Sequence, residues 1–420
     1  MKNKKYALEL LKAKINGERV ITYSTIAQLS GYSERHIRRF SKEIENKDID
    51  SMLIHSSKGK TPNNAATQSE IEYLKEFKKQ YPKISISQFM DIYHSYVIFN
   101  PLMLETIYQN NLKQRCYSFF KDFFRDNGYQ STRTYISLSP DNSHPLRAPS
   151  PNKGMLVMVD GTPHDWFENG KKFSLHMAID DATGEILSGW FMQNECLEGY
   201  CHMLKILIQK HGIPETIYSD KHTIFKSPID GNLTQFGRIC KELGINLIFA
   251  GSPQAKGKVE KKNDTVQGRL LNDIIRHKIK SYTQLNQFFN NFYADYLNKK
   301  IAYKPAQSES LFVPLDKDFD LSNIFFIKER RKILNGCLFS FNNNYYQILS
   351  KNNNVLNIFK GTEITVMKDV FDNSIKVEYR KQIYKVIQVA NHLHQQACSQ
   401  QVIHNQKELE QFLNNQTKKQ

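Results

Sequence analysis

The order of strands and helices between residues 153 and 302 limits the fold of this 420-residue chain more than any other feature. Apolar runs at 154–161, 172–181 and 185–192 predict three consecutive strands without an intervening helix. Helices and single strands alternate after them, which favours parallel crossovers. The expected order is β-β-β-α-β-α-β-α, and it favours a mixed five-stranded sheet with helices. The later elements are predicted at 197–211 (helix), 215–220 (strand), 234–243 (helix), 245–250 (strand) and from near 256 (helix).

Three acidic residues occupy distinctive positions in this order, which is typical of an RNase H-like core. Asp160 ends the first predicted strand, Asp220 follows the fourth, and Glu260 lies near the start of the last helix. The first and fourth strands are neighbours in such a sheet, so both aspartates should meet at one edge. Close carboxylates repel one another unless cations neutralise them, and Mg²⁺ prefers oxygen ligands. We therefore predict that these three residues are catalytic and hold two Mg²⁺ ions, with Mn²⁺ as a substitute, for in-line phosphoryl displacement.

Other acids compete for this assignment, because acidic residues at strand ends are common in turns. Asp180 and Asp181 precede the sequence Ala-Thr-Gly at 182–184 and are expected to serve a hairpin turn. Asp165 follows a turn at 161–163, where it is expected to be solvated or to orient metal-bound water. Position in the inferred fold, rather than spacing, favours the triplet over these rivals.

Four lysines surround Glu260 on the last helix: Lys256, Lys258, Lys261 and Lys262. They could be ordinary helix pairs, since a lysine four residues from a glutamate shares its face. Beside a metal site they are better explained as contacts to the phosphates of the scissile strand.

Residues 1–60 predict short helices separated by tight turns. A turn at 30–33 contains Gly31, and a second helix at 34–44 follows it with Ile37, Phe40 and Ile44 on one face. The hydroxyl of Ser33 is suited to cap that helix. Two short helices joined through a glycine-containing turn indicate a helix-turn-helix.

The second helix of this pair carries a basic face, made of Arg35, His36, Arg38 and Arg39. In a helix-turn-helix the second helix lies in the major groove, and its first residues reach the base edges. These four residues are predicted to bind DNA. The alternative is an ordinary helical hairpin whose charges are merely solvated.

The remaining sequence predicts four further segments. Helical patterns at 61–131 indicate a second helical domain, which could be another helix-turn-helix, and a proline-rich linker follows at 132–152. Short strands in the segment 303–390 favour a small β-barrel, and the polar stretch at 391–420 is a tail. The barrel strands are predicted at 338–341, 345–350, 354–359, 363–368 and 375–380. The central domain is assigned to 153–302.

Composition narrows the class of protein. Lys and Arg number 58 against 42 Asp and Glu, and the net charge of +16 favours a polyanionic partner over the alternative of a merely basic protein. The six cysteines are scattered without a paired motif, so neither a disulfide framework nor a zinc site is expected. The N-terminal stretch lacks the apolar core of a signal peptide, and no apolar run is long enough for a membrane span. We expect a cytoplasmic protein with no membrane partner.

Five segments resemble the insertion-sequence transposases of the ISNCY group, within the DDE transposase and retroviral integrase superfamily. They are MVDGTPHDWF (158–167), IDDATGEI (179–186), YSDKHTIF (218–225), TQFGRICKELGI (234–245) and SPQAKGKVEKKND (252–264). The resemblance implies Mg²⁺-dependent DNA cleavage and joining at element ends, with Asp160, Asp220 and Glu260 as the acids. It implies that the basic helix reads the element ends and that the protein acts on the chromosome in the bacterial cytosol. Lys261 and Lys262 depart from the arginine-rich context common in the family, and lysine is the looser phosphate ligand.

Together these features predict a multidomain DNA transposase: a helix-turn-helix region, an RNase H-like integrase core and a small β-barrel. Its expected partners are double-stranded DNA, as transposon ends and as target, and further copies of itself on the DNA. Two alternatives remain. One is a catalytically silent or domesticated DNA-binding regulator, and the other is an RNase H-like nuclease that lacks strand transfer.

Overall fold

The computed structural model describes residues 3–54, 65–132, 148–229, 231–250, 257–316, 319 and 321–389. The chain forms two compact units: residues 1–80 and 98–113 belong to the first, and residues 81–97 and 114–420 to the second. The predicted tail at 391–420 and most of the predicted linker lie outside the described residues, as does Lys256. Within the described ranges, no helix is long and apolar enough to cross a membrane.

Helices make up most of the first unit and flank the sheet of the second. In chain order the α-helices of the described residues are α1 Lys4–Ile15, α2 Tyr23–Ser30, α3 Glu34–Ile44, α4 Ile49–Leu53, α5 Gln68–Lys79, α6 Ile86–Tyr93, α7 Leu104–Gln109, α8 Tyr117–Asp126, α9 Leu197–His211, α10 Gln235–Glu242, α11 Gly257–Arg276, α12 Tyr282–Phe288 and α13 Ala294–Ile301. The segment predicted as a second helical domain contributes helices to both units.

The first unit is built on three helices that share an apolar core. Leu8 of α1, Ile26 of α2 and Ile37 of α3 are fully buried against one another. Gly31 ends α2 with φ at 73°, a conformation that glycine adopts without steric cost. The predicted bounds of α3 are confirmed, and Ser33 is its N-cap residue as predicted, but the hydrogen bond expected from its hydroxyl is wrong. The Ser33 hydroxyl makes no hydrogen bond to the backbone of α3 and instead lies 2.7 Å from Nδ1 of His36.

The second unit contains the predicted mixed sheet of five strands, which is confirmed. Its strands are β1 Leu156–His164, β2 Phe173–Asp180, β3 Ile186–Met192, β4 Thr216–Ser219 and β5 Asn246–Phe249. The order across the sheet is β3-β2-β1-β4-β5, with β1, β2 and β3 antiparallel and β4 and β5 parallel to β1. Both faces are covered: Val157 and Val159 belong to a core with α9, whereas Met158 belongs to a core with α11.

A six-stranded antiparallel sheet follows in the same unit and curves into a half-barrel. Its strands are β6 Phe326–Lys332, β7 Leu338–Phe341, β8 Asn344–Leu349, β9 Glu363–Asp369, β10 Ile375–Tyr379 and β11 Gln382–Val389, in the order β6-β9-β10-β11-β8-β7. The strand predicted at 354–359 is wrong, because this segment makes only a single bridge at Val355. Ile358 is buried in the core of the sheet, so the apolar pattern of the segment 354–359 reflects packing rather than strand pairing.

Candidate active site

The register between β1 and β4 brings two of the predicted acids together. Met158 pairs with Tyr218 in parallel register, and Asp160 and Asp220 each lie two residues further along. The two aspartates therefore occupy equivalent positions on neighbouring strands, which are about 4.8 Å apart. Asp160 does not end its strand as predicted, because β1 continues to His164 through pairing with β2.

The carboxylate of Asp160 is held by a side chain from α11. Nδ2 of Asn263 donates a hydrogen bond to Oδ2 of Asp160 over 2.9 Å. Asn263 is only 4% exposed, and its Oδ1 has no hydrogen-bond partner among the described residues. A buried oxygen of this kind costs free energy unless it is satisfied. Asn263 was not identified from the sequence, although its place three residues after Glu260 puts it on a neighbouring position of the same helix face.

Asp220 stands where β4 gives way to a loop. Its Oδ1 accepts a hydrogen bond from the backbone N–H of His222 over 2.9 Å, which orders the turn that follows the strand. Asp220 and Asp160 are both half-buried. The carboxylate of Asp220 is therefore fixed by the loop that follows β4, whereas the carboxylate of Asp160 is fixed by α11.

A further carboxylate that the sequence analysis missed lies in the same neighbourhood. The hydroxyl of the buried Tyr200 donates a hydrogen bond to Oε1 of Glu195 over 2.6 Å. Burial raises the pKa of the Tyr200 phenol, and the negative charges of Glu195, Asp160 and Asp220 raise it further. Tyr200 therefore stays protonated and acts as a donor among three acids.

The position of Glu195 depends on a glycine. A Cβ atom at Gly161 would lie 2.6 Å from Cδ of Glu195, so only glycine permits this approach without a shift. The sequence signal for this contact is the glycine directly after Asp160.

Glu260 occupies the first turn of α11 and is exposed. The face of α11 that carries Glu260 lies along β1. Asn263 on this face donates a hydrogen bond to Asp160, and Nε2 of Gln267 donates one to the hydroxyl of Thr162 over 3.0 Å. Four helical residues and two strand residues both advance about 6 Å, so α11 runs beside β1 in the same direction. Among the described residues, however, no three Asp, Glu, His or Cys side chains lie close enough to hold a metal ion. The mutual repulsion of carboxylates opposes such convergence.

The lysines of α11 lie mostly on another side of the helix. Nζ of Lys258 lies 2.7 Å from Oδ1 of the buried Asp181. Lys258 and Lys262 are each about 160° around the helix from Glu260. Burial, together with the charge of Lys261, lowers the pKa of Lys262 to about 8.

The competing acids are engaged in local structure. Oδ2 of Asp180 accepts hydrogen bonds from the backbone N–H and the hydroxyl of Thr183, as expected for a hairpin turn. Asp181 accepts from Ser150 as well as from Lys258. Asp165 accepts from the backbone N–H groups of Asn169 and Gly170. These hydrogen bonds account for the positions of the three aspartate side chains without a bound metal ion.

The basic residues of α3 lie on the surface of the first unit. Arg38 and Arg39 have side chains that are 61% and 62% exposed and form ion pairs with Glu34 and Glu43. Together with Arg35, His36 and Lys42 they line one surface depression. The structure thus brings the four predicted residues to a single exposed face.

Comparison with known proteins gives two curated relatives. No family model matches the sequence. The "Transposase for insertion sequence IS1202" of Streptococcus pneumoniae is 33% identical over 276 residues, which cover 64% of this chain and 58% of that protein. The "Putative transposase y4bF" of Sinorhizobium fredii (strain NBRC 101917 / NGR234) is 38% identical over 195 residues, 45% of this chain and 42% of that protein. The chain thus spans about half the length of these relatives. They confirm the predicted resemblance to insertion-sequence transposases.

Two solved structures align at low similarity. The simian T-cell lymphotropic virus intasome in complex with PP2A regulatory subunit B56 gamma aligns with a TM-score of 0.31 and 14% identity, over 67% of this chain and 94% of that chain. The HTLV-2 integrase catalytic core domain in complex with magnesium aligns with a TM-score of 0.26 and 18% identity, over 34% of this chain and 88% of that chain. TM-scores this low do not establish a shared fold.

Proposed function

We propose that this chain is a DNA transposase that binds insertion-sequence ends and catalyses Mg²⁺-dependent cleavage and strand transfer. The observation that carries the proposal is the equivalent position of Asp160 and Asp220 on paired strands. In the proposed reaction, water attacks the phosphodiester at an element end, and the P–O3′ bond breaks to leave a 3′-hydroxyl and a 5′-phosphate. That hydroxyl then attacks a phosphodiester of the target DNA, so that a new P–O bond joins the element to the target while the target's own P–O3′ bond breaks and its 3′-oxygen leaves as a hydroxyl. The transposase relatives support this class of reaction.

The side chains at the edge of the sheet where Asp160 and Asp220 lie have the chemistry that Mg²⁺ requires. Asp160 and Asp220 offer carboxylate oxygens, and Oδ1 of the buried Asn263, which has no hydrogen-bond partner among the described residues, adds a neutral oxygen next to Asp160. Hard cations prefer such ligands. Asp160, Asp220 and Glu260 would hold two ions, with Mn²⁺ as a substitute. When bound, divalent ions supply Lewis acidity at the scissile phosphate.

The protein's own groups orient this edge. Asn263 fixes the carboxylate of Asp160 by its 2.9 Å hydrogen bond, and the loop N–H of His222 fixes that of Asp220. Tyr200 holds Glu195 against Gly161 by donating a hydrogen bond from its hydroxyl to the carboxylate. Such supporting contacts keep reacting groups in place without touching the substrate.

The architecture is consistent with the same function. We propose that the central sheet is an RNase H-like core, that α2 and α3 form a helix-turn-helix, and that the half-barrel is a small β-barrel domain, with the boundaries predicted above. The proposed DNA contacts are Arg35, His36, Arg38 and Arg39 on α3, and Lys256, Lys258, Lys261 and Lys262 around the start of α11. A homo-oligomer that pairs two DNA ends is part of this proposal.

One observation favours a second candidate, a DNA-binding regulator without catalysis. Glu260 does not join the two aspartates in a three-membered group among the described residues. A regulator would bind the same ends and leave them intact.

An end-processing assay distinguishes these candidates. The substrate is a duplex that carries the DNA flanking the protein's own coding sequence, incubated with Mg²⁺ or Mn²⁺. We expect a nick at the element end and joining of the 3′-hydroxyl to plasmid DNA. Asp220→Asn should abolish both steps and retain end binding, whereas Asp165→Asn should retain all three. Binding without cleavage by the unmodified protein indicates the regulator, and cleavage without joining indicates a nuclease.

A further inference from the structure

A cavity of about 360 Å³ lies on the flank of α11 opposite Glu260. Lys258, Lys261 and Lys262 line one side of it. Met158 and Ile301 contribute an apolar wall. We call it the lysine pocket. Its volume lies within the range of about 300–1,000 Å³ that is typical of small-ligand sites. It is therefore large enough for one molecular group rather than a length of polymer.

The pocket has an excess of positive charge. Its lining carboxylate, Asp180, already accepts hydrogen bonds from Gly154 and Thr183. Lys258 is paired with the buried Asp181. Within the described part of the chain, neither Lys261 nor Lys262 forms an ion pair. Two ammonium groups beside an apolar wall are complementary to an anion with an apolar portion.

An aromatic ring completes the lining. Tyr303 is 46% exposed and contributes to the pocket wall. Its position is defined by Gly184, where a Cβ would lie 2.8 Å from Cε1 of the ring. The backbone N–H of Tyr303 donates to the carbonyl of Thr183 over 3.0 Å, which anchors the residue to the hairpin between β2 and β3. A fixed, partly exposed ring is suited to stacking on a planar group.

We propose that the lysine pocket binds one unpaired DNA nucleotide, with its base against Tyr303 and its phosphate at Lys261 and Lys262. This proposal rests on the proposed function, since it assigns a DNA strand to the protein. A base inside a duplex cannot enter a pocket of this size, because it is stacked and paired, whereas an unpaired or extruded base can. Stacking on an aromatic side chain combined with backbone charge is the usual way to hold single-stranded DNA.

Photo-crosslinking tests the proposal directly. The probe is a six-nucleotide single-stranded DNA with 5-iododeoxyuridine at one position, used with the full chain in EDTA so that no cleavage occurs. We expect a crosslink that peptide mapping assigns to Tyr303. Annealing the probe to its complementary strand should remove most of this crosslink. Lys262→Gln should lower the yield severalfold at subsaturating DNA, and Lys262→Arg should restore it. Lys280→Gln, which removes an equal charge elsewhere, should not lower it.

Three outcomes would overturn the proposed pocket: no crosslink at Tyr303 in the unmodified protein, an equal crosslink yield with duplex DNA, or an equal crosslink yield with Lys262→Gln. Asp220→Asn separates this test from the proposed function. That variant should lose cleavage and keep the crosslink, so a failed pocket with intact cleavage contradicts only the pocket. A crosslink without any cleavage by the unmodified protein contradicts only the transposase assignment.

Discussion

Asn263 donates a hydrogen bond from Nδ2 to Oδ2 of Asp160 over 2.9 Å and so joins α11 to β1. The contact couples the helix that carries Glu260 to the strand that carries Asp160. It makes Asn263 a positioning residue for the proposed acid site, because it acts through Asp160 rather than on the substrate.

Asn263→Ala should slow end cleavage by roughly 10- to 100-fold, because supporting contacts of this kind usually contribute that much. The apparent affinity for Mg²⁺ should fall in parallel, which a purely structural role would not produce. Gln267→Ala is the matched control, since it removes the neighbouring contact to Thr162 on the same helix. Equal losses in both variants would contradict a specific role for Asn263.

Divalent cations should stabilise the fold. A ligand that binds only the native state adds about 2.7 kcal/mol at 100 times its Kd. Thermal melts in rising Mg²⁺ or Mn²⁺ should therefore show an increasing Tm. Asp160→Asn and Glu260→Gln should each reduce that increase, whereas Asp165→Asn should leave it intact. A Tm that does not respond to either cation would argue against the proposed metal site.

Gly161→Ala should destabilise the protein by about 1–3 kcal/mol, the usual cost of overpacking. The new methyl group would meet Cδ of Glu195 at 2.6 Å and disturb its bond from Tyr200. Urea denaturation measures the change. Glu195→Ala in the same chain should recover part of the loss, because it removes the clash. Gly257→Ala serves as control, since nothing lies within 4 Å of a Cβ at that position.

The buried carboxyl of Asp273 should make folding stability depend on pH. Burial raises its pKa from 3.8 to about 7, although Arg269 and Arg276 oppose this effect. Between about pH 4 and 7 the folded state keeps a proton that the unfolded chain loses, so stability falls as the pH rises. The slope is on the order of 1.4 kcal/mol per pH unit at most. Asp273→Asn should flatten this part of the profile in denaturation experiments at a series of pH values.

Arg35 should contribute more to end binding than its neighbours on α3. Arg38 and Arg39 are paired with glutamates of their own helix, whereas Arg35 forms no ion pair with any described residue. If it reads a base, Arg35→Ala should cost about 1–3 kcal/mol and relax specificity at one position. Binding titrations with end DNA and with scrambled DNA measure both effects. An equal loss on both DNAs would indicate a phosphate contact instead.

Much of the fold could be predicted from periodicity, because strand and helix patterns depend on local alternation of apolar residues. The five strands of the central sheet and the bounds of α3 and α9 agree with their patterns. The highly charged strand β6 was missed, since its residues alternate too weakly to indicate a strand. The strand predicted at 354–359 was wrong because burial and pairing leave the same apolar signal.

The sequence by itself determined which residues are acidic, basic and apolar, and thus that Asp160 belongs to the first strand of the sheet and Asp220 follows the fourth. Only the tertiary structure decided which side chains support them. Asn263, Glu195 and Tyr200 reach this edge from segments that are distant in sequence, and no local pattern encodes such distant contacts. The sequence also could not show that Lys258 and Lys262 lie on the flank of α11 that faces the lysine pocket. Which side of a helix is covered and which lines a cavity depends on how the helix packs in the fold.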